Sequence, residues 1–295
     1  MTLILDGKKL SLQIQEEIRT EIAALRQSGK KIPHLAAVLV GNDGASTTYV
    51  NSKIRLCTAV GMQSTFIHLD DTVSEAELLR VVEDLNTNPD VDGFIVQLPL
   101  PKHINEHKIV EAISPDKDVD GFHPINLGRM QLGLPAFISA TPAGIMTMLK
   151  RYQIDTTGKH CVVIGRSNIV GTPMSILLSR NTNPGNCTVT LCHSKTSNIA
   201  DMCRSADILI AALGKPGFVT ADMVKPGAVV IDVGISRVQT DNEKGYAIMG
   251  DVDFASVAPK CSAISPVPGG VGLMTVASLL LNTMQAAGKS TKEHA

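Results

Sequence analysis

The run Cys161-Val162-Val163-Ile164-Gly165-Arg166-Ser167-Asn168-Ile169-Val170-Gly171-Thr172-Pro173 constrains the fold more than any other stretch of the chain. An apolar, β-branched run stops at a glycine, a polar turn follows, and a second glycine opens an apolar-periodic segment through Ile176, Leu177 and Leu178. The pattern reads as strand, tight loop and helix. Such a junction suits an anion, because a helix start offers backbone N–H groups and the positive end of its dipole, and glycine lets a ligand approach closely. The spacing departs from G-x-G-x-x-G: Ser167 and Val170 hold the second and third glycine positions, and the glycine is delayed to Gly171. Taken alone, the junction is also an ordinary connection between a strand and a helix.

The next strand, 187–192, runs into His193-Ser194-Lys195-Thr196, where a dinucleotide fold meets the adenosine ribose. An acid at that place accepts from a free 2′-hydroxyl and repels a 2′-phosphate. Here there is none, and Ser194, Lys195 and Arg166 together suit the phosphate, so NADP is the expected cofactor; the plainer alternative is a polar turn. Strand and helix signals then alternate: strands at 160–165, 187–192, 207–211 and 228–233, helices from 171, near 197–204 and near 220–224. That alternation predicts a doubly wound parallel sheet. The turns 211–217 and Asp232-Val233-Gly234-Ile235 fall at its strand ends, where a bound cofactor would lie.

A chain of 295 residues suits two domains. With 44% hydrophobic and 19% charged residues and a net charge of −1, it reads as a soluble α/β protein without a nucleic-acid stripe or a polybasic membrane patch. Its partners are expected to be small molecules or copies of itself. The six cysteines lie mostly in apolar segments with no C-x-x-C pair, as reduced core residues do. The apolar run at the N-terminus is too short for a signal peptide, and no stretch approaches the length of a membrane span, so a cytoplasmic location is expected.

In the first half, Leu10, Ile14, Ile18, Ile22 and Leu25 mark one face of a helix ending near Gly29. A strand at 34–40 leads through Gly41-Asn42-Asp43-Gly44 to a helix capped by Ser46 or Thr47, on which Tyr49 and Lys53 stand one turn apart. A strand at 65–69 and a helix opened by the capping box Ser74-Glu75-Ala76-Glu77 follow. Gly93-Phe94-Ile95-Val96-Gln97 then presents a polar residue at a strand end, before Leu98-Pro99-Leu100-Pro101 stops the strand. A short helix at 105–113 precedes the Asp-rich loop 114–122, which is either a ligand loop or simply solvated. His103 and His107 have helical spacing but fit an exposed helix end, and no metal is expected. The chain closes with Ser265-Pro266-Val267-Pro268-Gly269-Gly270-Val271-Gly272 and an apolar helix, 274–284, expected to return to the first domain.

Six motifs in order carry a resemblance: Tyr49-Val50-x-x-Lys53 with Gly61 downstream, Val96-Gln97-Leu98-Pro99-Leu100-Pro101, Lys117-Asp118-Val119-Asp120-Gly121, Gly165-Arg166-Ser167-x-x-Val170-Gly171-x-Pro173, His193-Ser194-Lys195-Thr196 and Pro266-Val267-Pro268-Gly269-Gly270-Val271-Gly272. Over nearly its whole length the chain resembles the bifunctional 5,10-methylenetetrahydrofolate dehydrogenase/cyclohydrolase family. The resemblance implies an N-terminal α/β catalytic domain, 1–142 plus 275–295, and a Rossmann-like doubly wound NADP-binding domain, 143–274, with a cleft between them and a homodimer joined through the nucleotide domain. Two positions depart from the family pattern: Ala140 stands where a cysteine is common, and Leu273 where a proline is usual.

The implied chemistry is NADP-dependent oxidation of 5,10-methylenetetrahydrofolate, then hydrolysis of the methenyl cation to 10-formyltetrahydrofolate. Lys53, Tyr49 and Gln97 are the expected catalytic residues. A lysine is ordinarily charged at neutral pH and works as a base only when desolvated or beside cations. Gln97 would tune Lys53, and Tyr49 would face the folate ring with its own face and hydroxyl. Asp120 suits the N–H donors of the pterin, Gly272 admits ligand to the backbone, and Thr275 would cap the closing helix. Gly165, Arg166, Ser167, Gly171, Ser194, Lys195, Gly234 and Ile235 are expected to bind the cofactor. Two alternatives remain at this stage: a shikimate-type dehydrogenase, which requires an Asp partner for Lys53, and a catalytically inactive NADP-binding sensor.

Overall fold

The computed structural model describes residues 2–241 and 245–288, so the final part of the 275–295 segment lies outside the described residues. The chain divides into two compact units, Met1–Ser11 with Thr141–Thr275, and Leu12–Ala140 with Val276–Ala295. The resemblance implies that the first residues belong to the catalytic half. Instead, β1 (Leu3–Ile4) joins the nucleotide half through parallel pairing with a late strand at Ala263–Ile264. Two residues are too few to show a period, and their partner is about 260 residues away, so only tertiary pairing reveals them.

The helix α1 (Gly7–Gln27) buries Leu10, Ile14, Ile18, Ile22 and Leu25. Beyond it, β2 (His34–Val40), α2 (Gly44–Ala59), β3 (Gln63–Leu69), α3 (Glu75–Thr87) and β4 (Gly93–Val96) alternate, and the strands form a parallel sheet of order β3-β2-β4. The β2 sequence is almost continuously apolar because a central parallel strand is covered on both faces. In α3 the capping box is present, with Ser74 and Glu77 satisfying each other's backbone N–H, a cap worth about 1 kcal/mol. Its stripe of Leu78, Val82 and Leu85 packs with Val38, Phe94 and Val96 in one core.

Asp43, rather than Ser46 or Thr47, caps α2: its carboxylate accepts from Ser46 N at 2.8 Å. The helix therefore starts two residues earlier than Ser46. After α4 (Glu106–Ala112) comes α5 (Pro124–Leu132), which the sequence reading does not contain. Its buried positions are Asn126 and Met130, while Ile125 and Leu132 are exposed, so no apolar stripe announces it.

From α6 (Ala140–Arg151) the chain enters the second sheet: β5 (His160–Ile164), α7 (Gly171–Ser179), β6 (Thr188–Cys192), α8 (Ile199–Ser205), β7 (Ile208–Ala211) and β8 (Val229–Asp232). The predicted helix near 220–224 is one 3-10 turn, Ala221–Met223. An unpredicted hairpin, β9 (Ser236–Gln239) with β10 (Tyr246–Met249), is held in part by Arg237 lying 3.6 Å from the Tyr246 ring centre. Then α9 (Phe254–Val257), β11 (Ala263–Ile264) and α10 (Val271–Ala286) complete the chain. The parallel order is β1-β11-β8-β7-β5-β6.

The two sheets share a device that the sequence does not advertise. His34 opens β2, with its Nε2 2.8 Å from Thr65 Oγ1 and its backbone N–H donating to Asp92 at 2.9 Å. His160 opens β5 with the same partners in kind, Thr190 Oγ1 and the Asp207 carboxylate, each at 2.9 Å. Each clasp ties the starts of three adjacent strands and leaves the opposite, carboxyl ends for ligands. All six cysteines are buried free thiols. Burial pushes Cys57 and Cys203 up to about 12, so they stay protonated and inert at neutral pH. Among the described residues no helix is long and apolar enough to cross a membrane.

Candidate functional site

In each sheet the chain leaves the central strand for one neighbour and later returns to the other side. The crevice at that reversal, beyond the carboxyl strand ends, is where open α/β sheets bind ligands. In the smaller sheet the reversal lies between β2 and β4, and Gln97 directly follows β4, with its N–H on Val38 O at 2.9 Å. The helix that follows β2 supplies Tyr49 and Lys53 one turn apart.

Lys53 is only 6% exposed, unusual for a lysine. Its Nζ donates to Gln97 Oε1 at 3.3 Å and lies 3.7 Å from Asp120 Oδ1. The Gln97 amide is oriented by its own Nε2, which donates to Leu98 O at 2.6 Å. Tyr49 is 36% exposed, and partial burial raises its hydroxyl above the ordinary tyrosine value. The structure thus brings together Lys53, Gln97 and Asp120. Of the two conditions expected for Lys53, the burial is present, and its charged neighbour in the protein is a carboxylate.

Asp120 is held by its own motif and by residues outside it that the sequence does not mark, His123, Asn126 and Asn282. Asp118, 2% exposed, accepts from His123 N at 2.8 Å, Phe122 N at 3.2 Å and Asn126 Nδ2 at 2.9 Å, and burial raises its carboxyl above the usual range. Asn282 Nδ2 ties Val119 O and Ile138 O at 2.8 and 3.0 Å. Gly121, at φ +71, has no room for a side chain, since a Cβ would sit 2.5 Å from Ser139 N. The Asp-rich loop is therefore a fixed structure that presents one carboxylate. Its motif carried the signal; Asn282, inside an apolar helix, carried none.

In the larger sheet the reversal lies between β5 and β7, and the glycine turn sits there. Gly165 adopts φ +116, and a Cβ on it would lie 2.0 Å from Ala212 O; a Cβ on Gly171 would lie 1.8 Å from Gly165 O. Two glycines are thus required for the turn to close. The first N–H groups of α7 are already engaged, because Ser167 Oγ accepts from Val170 N at 3.1 Å and Gly171 N at 3.5 Å. The expected free donors are replaced by a hydroxyl that can pass its own proton outward.

The register pairs Ile164 with Cys192, which sets Arg166 and Ser194, each two residues on, at neighbouring strand ends; Arg166, Ser194 and Lys195 are exposed. This acid-free set of donors fits the phosphates of NADP. Gly234 is buried and Ile235 exposed, and the side chain of Ile235 would meet a Cβ on Gly272 at 2.7 Å. Thr275 is not a cap. It lies one turn inside α10, bonding Val271 O at 3.3 Å and Thr141 Oγ1 at 3.0 Å.

Two buried acids join the strand-end loops. Asp232 accepts from Gly234 N, Asp251 N and Val252 N at 3.0, 2.8 and 3.0 Å, and Asp251 Oδ2 accepts from Leu213 N and Gly214 N at 2.7 and 2.9 Å. Burial, with the nearby Asp251, pushes Asp232 up to about 6, against the opposing pull of its N–H donors. The native state then holds a proton that the unfolded chain releases. The associated stability is fully present below about pH 4 and is lost as pH rises through about 6, a loss of roughly 3 kcal/mol. In protein labelled with 13C at the aspartate carboxyls, one resonance is expected to titrate near 6; midpoints all close to 4 would contradict this.

Residues 5–120 match the profile of the tetrahydrofolate dehydrogenase/cyclohydrolase catalytic domain, and residues 139–291 that of the NAD(P)-binding domain of the same family. A bifunctional protein FolD from Cytophaga hutchinsonii is 62% identical over 285 residues, covering 96% of this chain and 98% of that protein. A solved FolD methylenetetrahydrofolate dehydrogenase/cyclohydrolase from Campylobacter jejuni is 47% identical with TM-score 0.92, covering 98% and 99% of the two chains. The Trypanosoma brucei enzyme, solved with NADP cofactor and inhibitor, is 35% identical with TM-score 0.92, covering 97% of each chain. A shikimate dehydrogenase from Peptoclostridium difficile, at 14% identity and TM-score 0.51, shares the fold alone, so the Lys53–Asp120 pair does not carry that alternative. The chain belongs to the tetrahydrofolate dehydrogenase/cyclohydrolase family.

Proposed function

We propose that the chain is a bifunctional enzyme of one-carbon folate metabolism, oxidising 5,10-methylenetetrahydrofolate with NADP and hydrolysing the resulting methenyl compound to 10-formyltetrahydrofolate. The observation that carries the reading is the buried Lys53 with Gln97 on one side and Asp120 on the other. NADP, when bound, supplies the hydride acceptor. The chain's own contribution to that step is to position the reactants, which requires no proton transfer.

For the hydrolysis, Lys53 acts as the base that takes a proton from the attacking water. As an ammonium it would repel the cationic substrate; as an amine beside that cation it becomes competent. Gln97 holds its nitrogen in place, and Asp120, which meets Lys53 through Oδ1, offers Oδ2 to the pterin N–H groups. Tyr49 gives the folate ring an aromatic face. At the nucleotide end Arg166, Ser194 and Lys195 hold the 2′-phosphate, Gly165, Ser167 and Gly171 form the diphosphate turn, and Gly234 and Ile235 line the strand-end pocket. Gly272 and Thr275 belong to the substrate side. The enzyme works as a cytoplasmic homodimer without nucleic-acid or membrane partners.

The test is to mix purified protein with 5,10-methylenetetrahydrofolate and follow cofactor reduction and 10-formyl product, with NAD in place of NADP as control. Reduction with NADP is expected to exceed that with NAD. In Arg166→Ala/Lys195→Ala, the KM for NADP is expected to rise about 10- to 100-fold while that for NAD stays within about threefold, since the two lost contacts, both solvent-exposed, are together worth roughly 1.5–3 kcal/mol. NADP bound without either product would revive the sensor reading.

A further inference from the structure

Asp251 is fully buried and Asp232 2% exposed, and among the described residues neither meets a cation. Buried carboxylates of this kind are costly, and here five backbone N–H groups are their support. The donors are not scattered. Leu213 and Gly214 follow β7, Gly234 follows β8, and the remaining two open the segment 251–253. The backbone at 250–251 also clamps the far side of the β7 loop, with Gly217 N on Gly250 O and Val219 N on Asp251 O, both at 2.9 Å.

The held loops border the glycine turn. Ala212, directly before Leu213, is the residue whose carbonyl oxygen would meet a Cβ on Gly165 at 2.0 Å. Gly234 is pinned from the other side, since a Cβ there would lie 2.4 Å from Asp251 Oδ1. Among the described residues that oxygen has no hydrogen-bond partner. It is a second sign that the carboxylate is kept for the shape it imposes rather than for a saturated network.

We propose that Asp251, together with Asp232, is a positioning residue for the dinucleotide: it fixes the Leu213–Gly214 backbone and the Gly234 turn at the spacing that the cofactor requires. The assignment rests on the NADP reading above. The link runs from Ser265 Oγ, which accepts from Asp232 N at 2.8 Å, through Asp232 to Asp251 and on to the β7 loop, so three strand ends move as one.

The experiment compares Asp251→Leu and Asp251→Asn with the parent protein. Leucine fills similar volume and removes the acceptor for two N–H groups, whereas asparagine retains one oxygen for them. Asp251→Leu is expected to raise the KM for NADP at least about tenfold with kcat changed far less, the order of one lost charge-assisted bond, and Asp251→Asn to recover most of that loss. Hydrolysis of methenyltetrahydrofolate, which consumes no NADP, is expected to stay within about twofold in both. Equal NADP affinity in a folded Asp251→Leu would overturn the proposal. If that variant loses hydrolysis as well, amide exchange in the unaltered protein decides: slow exchange at Leu213 and Gly214 that slows further with NADP supports it, and exchange as fast as in an open loop overturns it. A parent protein that does not bind NADP removes the underlying reading, and this one with it.

Discussion

Lys53→Met is expected to lower methenyltetrahydrofolate hydrolysis by about 10²- to 10⁴-fold, the usual contribution of a positioned proton-transfer group. Methionine matches the length of the lysine stem and leaves no base. NADP reduction should fall much less, because hydride transfer asks the site for placement and not for a proton acceptor. The substitution also leaves Asp120, 8% exposed, without its cation and Gln97 Oε1 without its donor, so a fall in thermal stability accompanies it. Lys53→Arg separates the two effects. A guanidinium keeps the charge facing Asp120 but stays protonated, so it is expected to restore stability and not hydrolysis. Stopped-flow decay of the methenyl absorbance, read beside NADP reduction, checks both, and a Lys53→Met protein that hydrolyses within threefold of the parent would remove Lys53 from the mechanism.

The residues around Lys53 show what a sequence can and cannot reveal. Helical spacing places Tyr49 and Lys53 on one face and prolines stop the strand at Gln97, but only the resemblance marks the three as site residues. The contact between Lys53 and Asp120 spans 67 residues and depends on how the loop 114–122 folds, which Asp118, Asn126 and Asn282 decide through buried side chains. Asp118 falls inside the Lys117–Gly121 motif without being marked in it as the anchor, and no local pattern distinguishes Asn126 or Asn282 from ordinary polar residues. The same holds for Asp232 and Asp251, whose roles exist only after four chain segments converge.

The fold divides along similar lines. Strands in the sheet centres, such as His34–Val40 and His160–Ile164, are visible as apolar runs because both faces are covered. The edge pair Leu3–Ile4 with Ala263–Ile264 and the hairpin at Ser236–Gln239 lack such runs. α5 is hidden because its buried face is part polar. The two departures from the family pattern fall in different surroundings, Ala140 buried and Leu273 exposed. Ala140 bonds Asp120 O at 3.3 Å through its backbone N–H alone, and Leu273 is 37% exposed.

Gly171→Ala is the complementary test, because it strikes the cofactor half and spares the residues of the hydrolytic cluster. The added methyl would lie 1.8 Å from Gly165 O, 2.5 Å from Gly165 C and 3.0 Å from Arg166 N, all backbone atoms that cannot swing aside. The turn must open, and with it go the N–H bonds of Val170 and Gly171 to Ser167. Overpacking of this kind costs about 1–3 kcal/mol of stability. NADP affinity is expected to fall about 100-fold or more, because the displaced turn is the one proposed to hold the diphosphate and the start of α7 moves with it. Lys53, Gln97 and Asp120 all come from the unit Leu12–Ala140. Hydrolysis of the methenyl compound should therefore persist in folded Gly171→Ala while NADP reduction is lost at ordinary cofactor concentrations. A variant that binds NADP as the parent does would show that the turn is only a connection between strand and helix.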